Sequence, residues 1–309
     1  MKKLIIFSLL VLFIITGCKK IENLPSATPT QWNETVPTIS MEPLHMVYIP
    51  GGSKNYMIEK WQTLAEYLTK TTGIPVEVVE PKTYITITES FKKNKADIGY
   101  LSGFIYIKLK KDMDIIPLVK PLEKGKIFYK CYIIVRKNSG IKNIEELKNK
   151  RFSFVHKDST SGYLFPRVMM ANKGIDDPED YFSKVELMQD HFSSLSSVYH
   201  GYVEGGVVSS FVFESKEAEK YIKDIDIIME TDEIPLGCFA VKSDLKPEYI
   251  KKLKEAFLIV NKTEETRELL KGLGVEGYVE AEDSDYDPIR EAIIKLSSLK
   301  DIKESDIFK

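Results

Sequence analysis

Residues 151–175 read RFSFVHKDSTSGYLFPRVMMANKGI. After the short apolar run Phe152 to Val155, Ser159, Thr160 and Ser161 put three hydroxyls in succession, followed by Gly162 and a helix-like segment that carries Pro166. Proline has no N–H and suits the first turn of a helix, so the spacing predicts a helix start within about four residues upstream of it. The N–H groups around Thr160 to Tyr163 then lack intrahelical acceptors, and the helix dipole adds positive potential at the same point. Gly162 lets an anion come close to the backbone. Hydroxyl donors beside free N–H groups make an oxyanion cradle that needs no lysine or arginine. A simpler use of these residues is helix capping by Ser159 or Thr160, which contributes about 1 kcal/mol. One cap accounts for one hydroxyl and leaves two.

The elements around this cluster alternate. LHMVYIP reads as a strand, YMIEKWQTLAEYLTKTTG as an amphipathic helix closed by Gly73, and PVEVVEP as a second strand, before YITITESFKKNK leads into ADIGYLSG. This βαβαβ order predicts an α/β fold with a covered, mostly parallel sheet. Further on, IFYKCYIIVRK reads as one long strand, IKNIEELKNK as a helix, RFSFVHK as a strand, YLFPRVMMANKG as a helix and KVELMQD as a strand. SSLSSVYHGYVEG then reads as a helix, GVVSSFVF and GCFAVKSD as strands, and KPEYIKKLKEAFLIVNK and DYDPIREAIIKLSS as helices. No fixed-period repeat is present, which excludes solenoids and propellers.

The chain has 309 residues, 43% hydrophobic and 29% charged, enough for two lobes of roughly 100–200 residues each. A formal net charge of −2 removes the electrostatic case for nucleic acid as a partner. MKKLIIFSLLVLFIITGC has two lysines, an apolar run and small residues before Cys18, the layout of a signal peptide (residues 1–18). Its ITGC ending resembles the lipobox of bacterial lipoproteins, which makes Cys18 a lipid anchor on the extracytoplasmic face of the cell membrane. The alternative is an uncleaved hydrophobic anchor, although the run is shorter than the ~20 residues a spanning helix needs. Residues 19–43, rich in Pro, Ser, Thr and Asn, read as a flexible tether. The folded part is expected from Leu44. Cys131 and Cys238 lie in apolar, strand-like contexts and read either as a disulfide of an exported protein or as two buried thiols.

ADIGYLSG, the segment from YIIVRKNSGIKNIEELKNK through RFSFVHKDSTSGYLFPRVMMANKGI, and SDYDPIREAI resemble the phosphate/phosphite/phosphonate-binding family of ABC-transporter substrate-binding proteins. The resemblance runs from about Leu44 to Ser297, and the Asp-Ser-Thr-Ser-Gly-Tyr run between strand and proline-bearing helix is its most specific part. It implies the type II periplasmic-binding fold, two α/β lobes joined by two crossover strands that act as a hinge. Lobe 1 is expected to hold residues 44–130 and 239–309, and lobe 2 residues 131–238. Cys131 and Cys238 then fall near the two crossovers.

Site residues carry over one at a time. Ser159, Thr160 and Ser161 are expected to bind the anion. Tyr84, in PKTYITI, matches the family tyrosine after the second strand, and Tyr129, in GKIFYKCYIIV, the one that opens the crossover. Their phenols can donate from the facing lobe. His191, in MQDHFSS, matches the family histidine after a lobe-two strand, where ligands of open α/β sheets collect. Ser53, after VYIPGG, and Ser102, in YLSG, complete the candidates.

Members of the family that take aminoalkyl phosphonates present carboxylates to the ammonium group. The aligned positions here are Phe211 and Gly237, neither acidic; Glu214 is the carboxylate nearest the first. A buried ammonium without a carboxylate is costly, so a compact ligand is expected: phosphate, phosphite or a short alkyl phosphonate.

The resemblance thus implies a monomeric receptor without cofactor or metal, partnered by an ABC permease and ATPase. A sensing lipoprotein of the same fold, without import, is the second reading, and another small metabolite is a further ligand class. An enzyme would have to use Ser161 with His191, and the nucleophile-elbow pattern G-x-S-x-G is absent. The phosphate-loop pattern GxxxxGK[ST] is absent too, so the chain is not the ATPase.

Overall fold

The structure, a computed structural model, describes residues 42–50, 54–299 and 307. The leader, Cys18, the tether up to residue 41, and Ser53 lie outside the described residues. Strand β1 (Leu44–Val47) leads into α1 (Lys54–Thr72), β2 (Val76–Val78), α2 (Tyr84–Lys92), β3 (Ile98–Leu101), α3 (Gly103–Asp112) and β4 (Ile115–Leu122). The βαβαβ order is present, with β1 parallel to both β2 and β3. Helix α1 buries Trp61, Leu64, Ala65 and Leu68, the i, i+3, i+4, i+7 stripe of a helix laid on a sheet. Gly73, at φ 72°, ends it in the left-handed region that glycine enters without strain.

The chain then crosses through β5 (Phe128–Tyr129) into β6 (Cys131–Arg136) and β7 (Arg151–Phe154). Next come α4 (Phe165–Ala171), α5 (Pro178–Tyr181), β8 (Lys184–Leu187), α6 (His191–Tyr199), β9 (Gly205–Ser209), α7 (Ser210–Phe213), α8 (Glu219–Ile222) and β10 (Ile225–Glu230). It returns through β11 (Ile234–Pro235) to β12 (Cys238–Lys242), α9 (Pro247–Ile259), α10 (Glu264–Leu273), β13 (Gly277–Glu280) and α11 (Asp287–Ser297).

Two sheets result. One has the order β13-β4-β12-β3-β1-β2, the other β10-β6-β9-β7-β8; both are mixed rather than mostly parallel, since β12 runs antiparallel to β3 and β4, and β6 antiparallel to β9 and β10, where the chain returns across each sheet. The first draws its strands from residues 44–122 and 238–280, the second from 131–230. Between them β5 and β11 form an antiparallel ribbon of their own, Ile234 opposite Tyr129 and Pro235 opposite Phe128. The molecule is thus a two-lobed α/β protein whose chain passes twice between lobes. A continuous apolar core runs from Val47 and Phe104 in the first lobe to Phe152 and Val207 in the second. An aromatic group of Trp61, Phe239, Phe257 and Tyr278 fills a separate core in the first lobe.

Several elements differ from the expectation. The single strand over IFYKCYIIVRK is two, because Lys130 separates the ribbon strand β5 from β6. IKNIEELKNK contributes only a 3₁₀ turn at Glu145–Leu147. Its buried residues Ile141, Ile144 and Leu147 recur every three positions, which fits the three-residue turn of a 3₁₀ helix. GVVSSFVF stops being a strand at Ser209, whose side chain caps α7 by accepting from the Val212 N–H. Strand β4 was not expected, since Pro117 and Pro121 punctuate it. Proline cannot donate to a ladder, and the β12 register shifts between Phe239 and Ala240, beside Pro117. Cys131 and Cys238 are free, buried thiols rather than a disulfide.

Candidate anion-binding site

Local sequence explains where each candidate stands. Tyr84 is the first residue of α2 after the N-cap Thr83, and Ser102 is the N-cap of α3. Ser159 caps the turn after β7, and His191 opens α6 after the N-cap Asp190. Ser102, Ser159 and His191 all follow strands of open α/β sheets, where ligands are held beyond the carboxyl ends of strands. Tyr129 alone lies on the crossing strand β5.

The hydroxyl cluster folds as a wide turn, Thr160–Leu164, in which the Leu164 N–H reaches the Ser159 carbonyl at 3.1 Å. The helical path starts six residues before Pro166 rather than within four. A proline cannot bond the carbonyl four residues before it and its ring crowds that oxygen. Here that oxygen belongs to Gly162, and it turns away to accept from the Val155 N–H at 3.0 Å. The widened turn absorbs the proline and leaves the N–H groups of Thr160 and Ser161 without intrahelical acceptors.

Each of the three hydroxyls has an inward donor. Ser159 Oγ accepts from the Gly162 N–H at 2.9 Å and is hydrogen-bonded to the Tyr84 phenol. Capping is therefore the task of Ser159. Thr160 Oγ1 accepts from the Phe104 N–H, at 2.9 Å, in the first turn of α3. Ser161 Oγ lies 3.1 Å from His191 Nε2 and is hydrogen-bonded to the Tyr129 phenol. His191 Nδ1 in turn accepts from the Ser209 N–H at 3.1 Å. An Nδ1 that accepts leaves the proton of the neutral ring on Nε2, which donates to Ser161. Burial holds the ring neutral, its pKa lowered to about 4.

Hydrogens therefore run outward along two chains, Ser209 to His191 to Ser161 to Tyr129, and Gly162 to Ser159 to Tyr84. Each chain ends on a phenol kept protonated by burial; the Tyr84 pKa is raised to about 12, and that of Tyr129 is raised further. The same tautomer argues against a nucleophilic Ser161, since a general base would need the Nε2 lone pair that the proton occupies.

The structure thus brings Tyr84, Tyr129, Ser159, Thr160, Ser161 and His191 into one network. Ser102 joins it indirectly, as the cap of the helix whose Phe104 N–H meets Thr160. Ser209, Phe104 and His156 were missed in the sequence. His156 stacks on Tyr84, ring centroids 5.0 Å apart and planes 8° from parallel. Only the DSTSG neighbourhood hinted at His156, and backbone donors such as Ser209 and Phe104 carry no residue signature.

The two non-acidic positions are taken up by packing. Phe211 stacks on Tyr129 at 4.8 Å. A Cβ at Gly237 would sit 2.2 Å from the Leu101 carbonyl oxygen. Glu214 forms an ion pair with Lys124, and both line a cavity of about 210 Å³ with Tyr129 and Phe211. Among the described residues no group of His, Cys, Asp and Glu side chains converges as a metal site.

Two α/β lobes bridged by a paired crossing ribbon, with protein donors gathered where the lobes meet, define a solute-binding receptor. The chain belongs to the periplasmic substrate-binding proteins of phosphonate ABC transporters, whose family model matches residues 46–286. It is 22% identical over 267 residues to the probable ABC transporter phosphite binding protein PhnD1 of Prochlorococcus marinus, covering 82% of this chain and 89% of the relative. It is 24% identical over 232 residues to the phosphate-import protein PhnD of Mycolicibacterium smegmatis, covering 70% and 71%. In fold it is similar to the solved structure of the Prochlorococcus marinus PhnD1 in complex with methylphosphonate, with a TM-score of 0.76 over 83% of this chain and 98% of that one, at 21% identity.

Proposed function

We propose that this protein is the extracytoplasmic receptor of an ABC importer and captures phosphate, phosphite or a short alkyl phosphonate between its lobes. The observation that carries the reading is the uniform polarity of the network. Ser159, Thr160 and Ser161 each accept from an inner N–H, and Ser159 and Ser161 pass their hydrogens on to the phenols, so the hydrogens of Thr160 and of the two phenols are left for an anion. A site that offers hydrogens in this way favours an oxyanion, whose charged oxygens accept them. The relatives, a probable phosphite binding protein, a phosphate-import protein and a structure in complex with methylphosphonate, agree with this chemistry. The permease and ATPase are the partners that family membership brings.

A thermal-shift series with phosphate, phosphite, methylphosphonate, aminoethylphosphonate and sulfate tests the reading. A true ligand at 100 times its Kd stabilises by about 2.7 kcal/mol. Aminoethylphosphonate is expected to bind more weakly than methylphosphonate, because Phe211 and Gly237 hold the positions where a carboxylate would meet its ammonium. The reverse order would mean that a carboxylate faces the ligand. No shift with any phosphorus oxyanion, or the largest with sulfate, would overturn the assignment.

The lipid anchor at Cys18 is part of the same proposal, supported by the signal-peptide layout before it. Cys18→Ala is expected to release the protein from the membrane fraction while the unfolding midpoint of the folded part stays unchanged. Continued membrane retention would make the leader itself the anchor.

A further inference from the structure

Asp158 sits immediately before the hydroxyl cluster and takes no part in the donor network. Its Oδ1 lies 2.6 Å from Lys108 Nζ, and both side chains are withdrawn from water, 4% and 11% exposed. Asp158 belongs to the loop after β7 in the second lobe, Lys108 to α3 in the first. Lys108 stands four residues after Phe104, on the same face of α3. The ion pair and the Phe104 N–H to Thr160 bond therefore lie side by side, two residues apart on one element and four on the other. Asp158 is also set in place within its loop, since its N–H donates to His156 Nδ1 at 3.0 Å. His156 itself rests on Tyr84 from the first lobe.

Two opposite charges on separate lobes are attracted most strongly when closure excludes water, and each is solvated when the lobes part. Neither charge touches the hydroxyl hydrogens that face the anion. We propose that Lys108 and Asp158 form an interlobe latch: the pair assembles only as the lobes close and lengthens the residence of the bound anion. This rests on the oxyanion-capture reading above for the identity of the ligand. The chemistry of the latch does not depend on it.

The test uses full-length protein in detergent, with Lys108→Met, Asp158→Asn and the double variant Lys108→Met/Asp158→Leu, and methylphosphonate as probe. Loss of one partner of a buried, hydrogen-bonded charge pair acts mainly on dissociation, and affinity is expected to fall roughly 30-fold or more in each single variant. The unfolding midpoint of the ligand-free protein should move less than that of the loaded protein. The double variant should recover most of the affinity, because apolar replacement of both partners leaves no unpaired buried charge. Single variants within threefold of the wild type, or a ligand-free midpoint that falls as far as the loaded one, would overturn the latch. If the wild type binds no phosphorus oxyanion, the capture reading fails, and the latch is read from amide exchange instead. Faster exchange at Phe104 in ligand-free Lys108→Met than in wild type then supports it, and equal exchange overturns it.

Discussion

Ser161→Ala is expected to weaken methylphosphonate binding by roughly 10- to 150-fold, the range for losing one hydrogen bond to a charged group, here that of the Tyr129 phenol which Ser161 orients. The effect should exceed that of a lone hydroxyl contact because Ser161 is the middle link of its chain. Without its oxygen the His191 Nε2 proton has no acceptor, and the Tyr129 phenol loses the neighbour that orients it. Ser161 caps nothing, so any loss of fold stability comes from the His191 N–H left without a partner. Ser159→Ala removes the acceptor of the Gly162 N–H as well as the neighbour of the Tyr84 phenol, so it is expected to lose about 1 kcal/mol of stability, the cost of such a cap, together with affinity. Isothermal titration beside thermal unfolding separates the two. An unchanged affinity in Ser161→Ala would remove the chain from His191 as the basis of capture.

Gly162→Ala should damage stability and binding together. A Cβ there would lie 2.4 Å from Val155 Cβ and 2.7 Å from both Val155 Cγ2 and Ser159 Oγ. Val155 cannot yield, because it is fully buried and its N–H holds the Gly162 carbonyl. Overpacking of this kind costs about 1–3 kcal/mol, and each kcal/mol lowers the midpoint by about 2–4 °C in a domain of this size class. The displaced atoms include the Ser159 oxygen, so the hydroxyl row should shift and methylphosphonate affinity fall with it. An unfolding midpoint and affinity both equal to wild type would show that the turn is looser than its geometry implies.

Much of the fold was legible because its signals are local. The βαβαβ opening reads from apolar periodicity and Gly73, and the hydroxyl row reads from residue types in succession. Elements failed where a local signal pointed elsewhere. Pro117 and Pro121 hid β4, and the apolar spacing of IKNIEELKNK looked helical although its buried positions repeat at three. Pro166 was read as marking a helix start, yet the chain winds helically before it by turning the Gly162 carbonyl aside. At the site, side chains were visible and their partners were not. Phe104 meets Thr160 through a backbone N–H 56 residues away, and Lys108 meets Asp158 across 50. Such pairings are set by how two lobes come together, which no window of sequence contains.

The strand order of the six-stranded sheet also governs how the molecule is made. β4 lies between β12 and β13, so both of its neighbours arrive more than 110 residues after it, at 238–242 and 277–280. The five-stranded sheet, drawn from one uninterrupted stretch, is complete before either appears. As the chain emerges, N-terminus first, the second lobe is thus able to fold while β4 waits with two bare edges, the condition in which a strand is open to wrong pairing. Pro117 and Pro121, which obscured β4 in the sequence, remove two donors from those edges and make it a poor template until its own partners emerge.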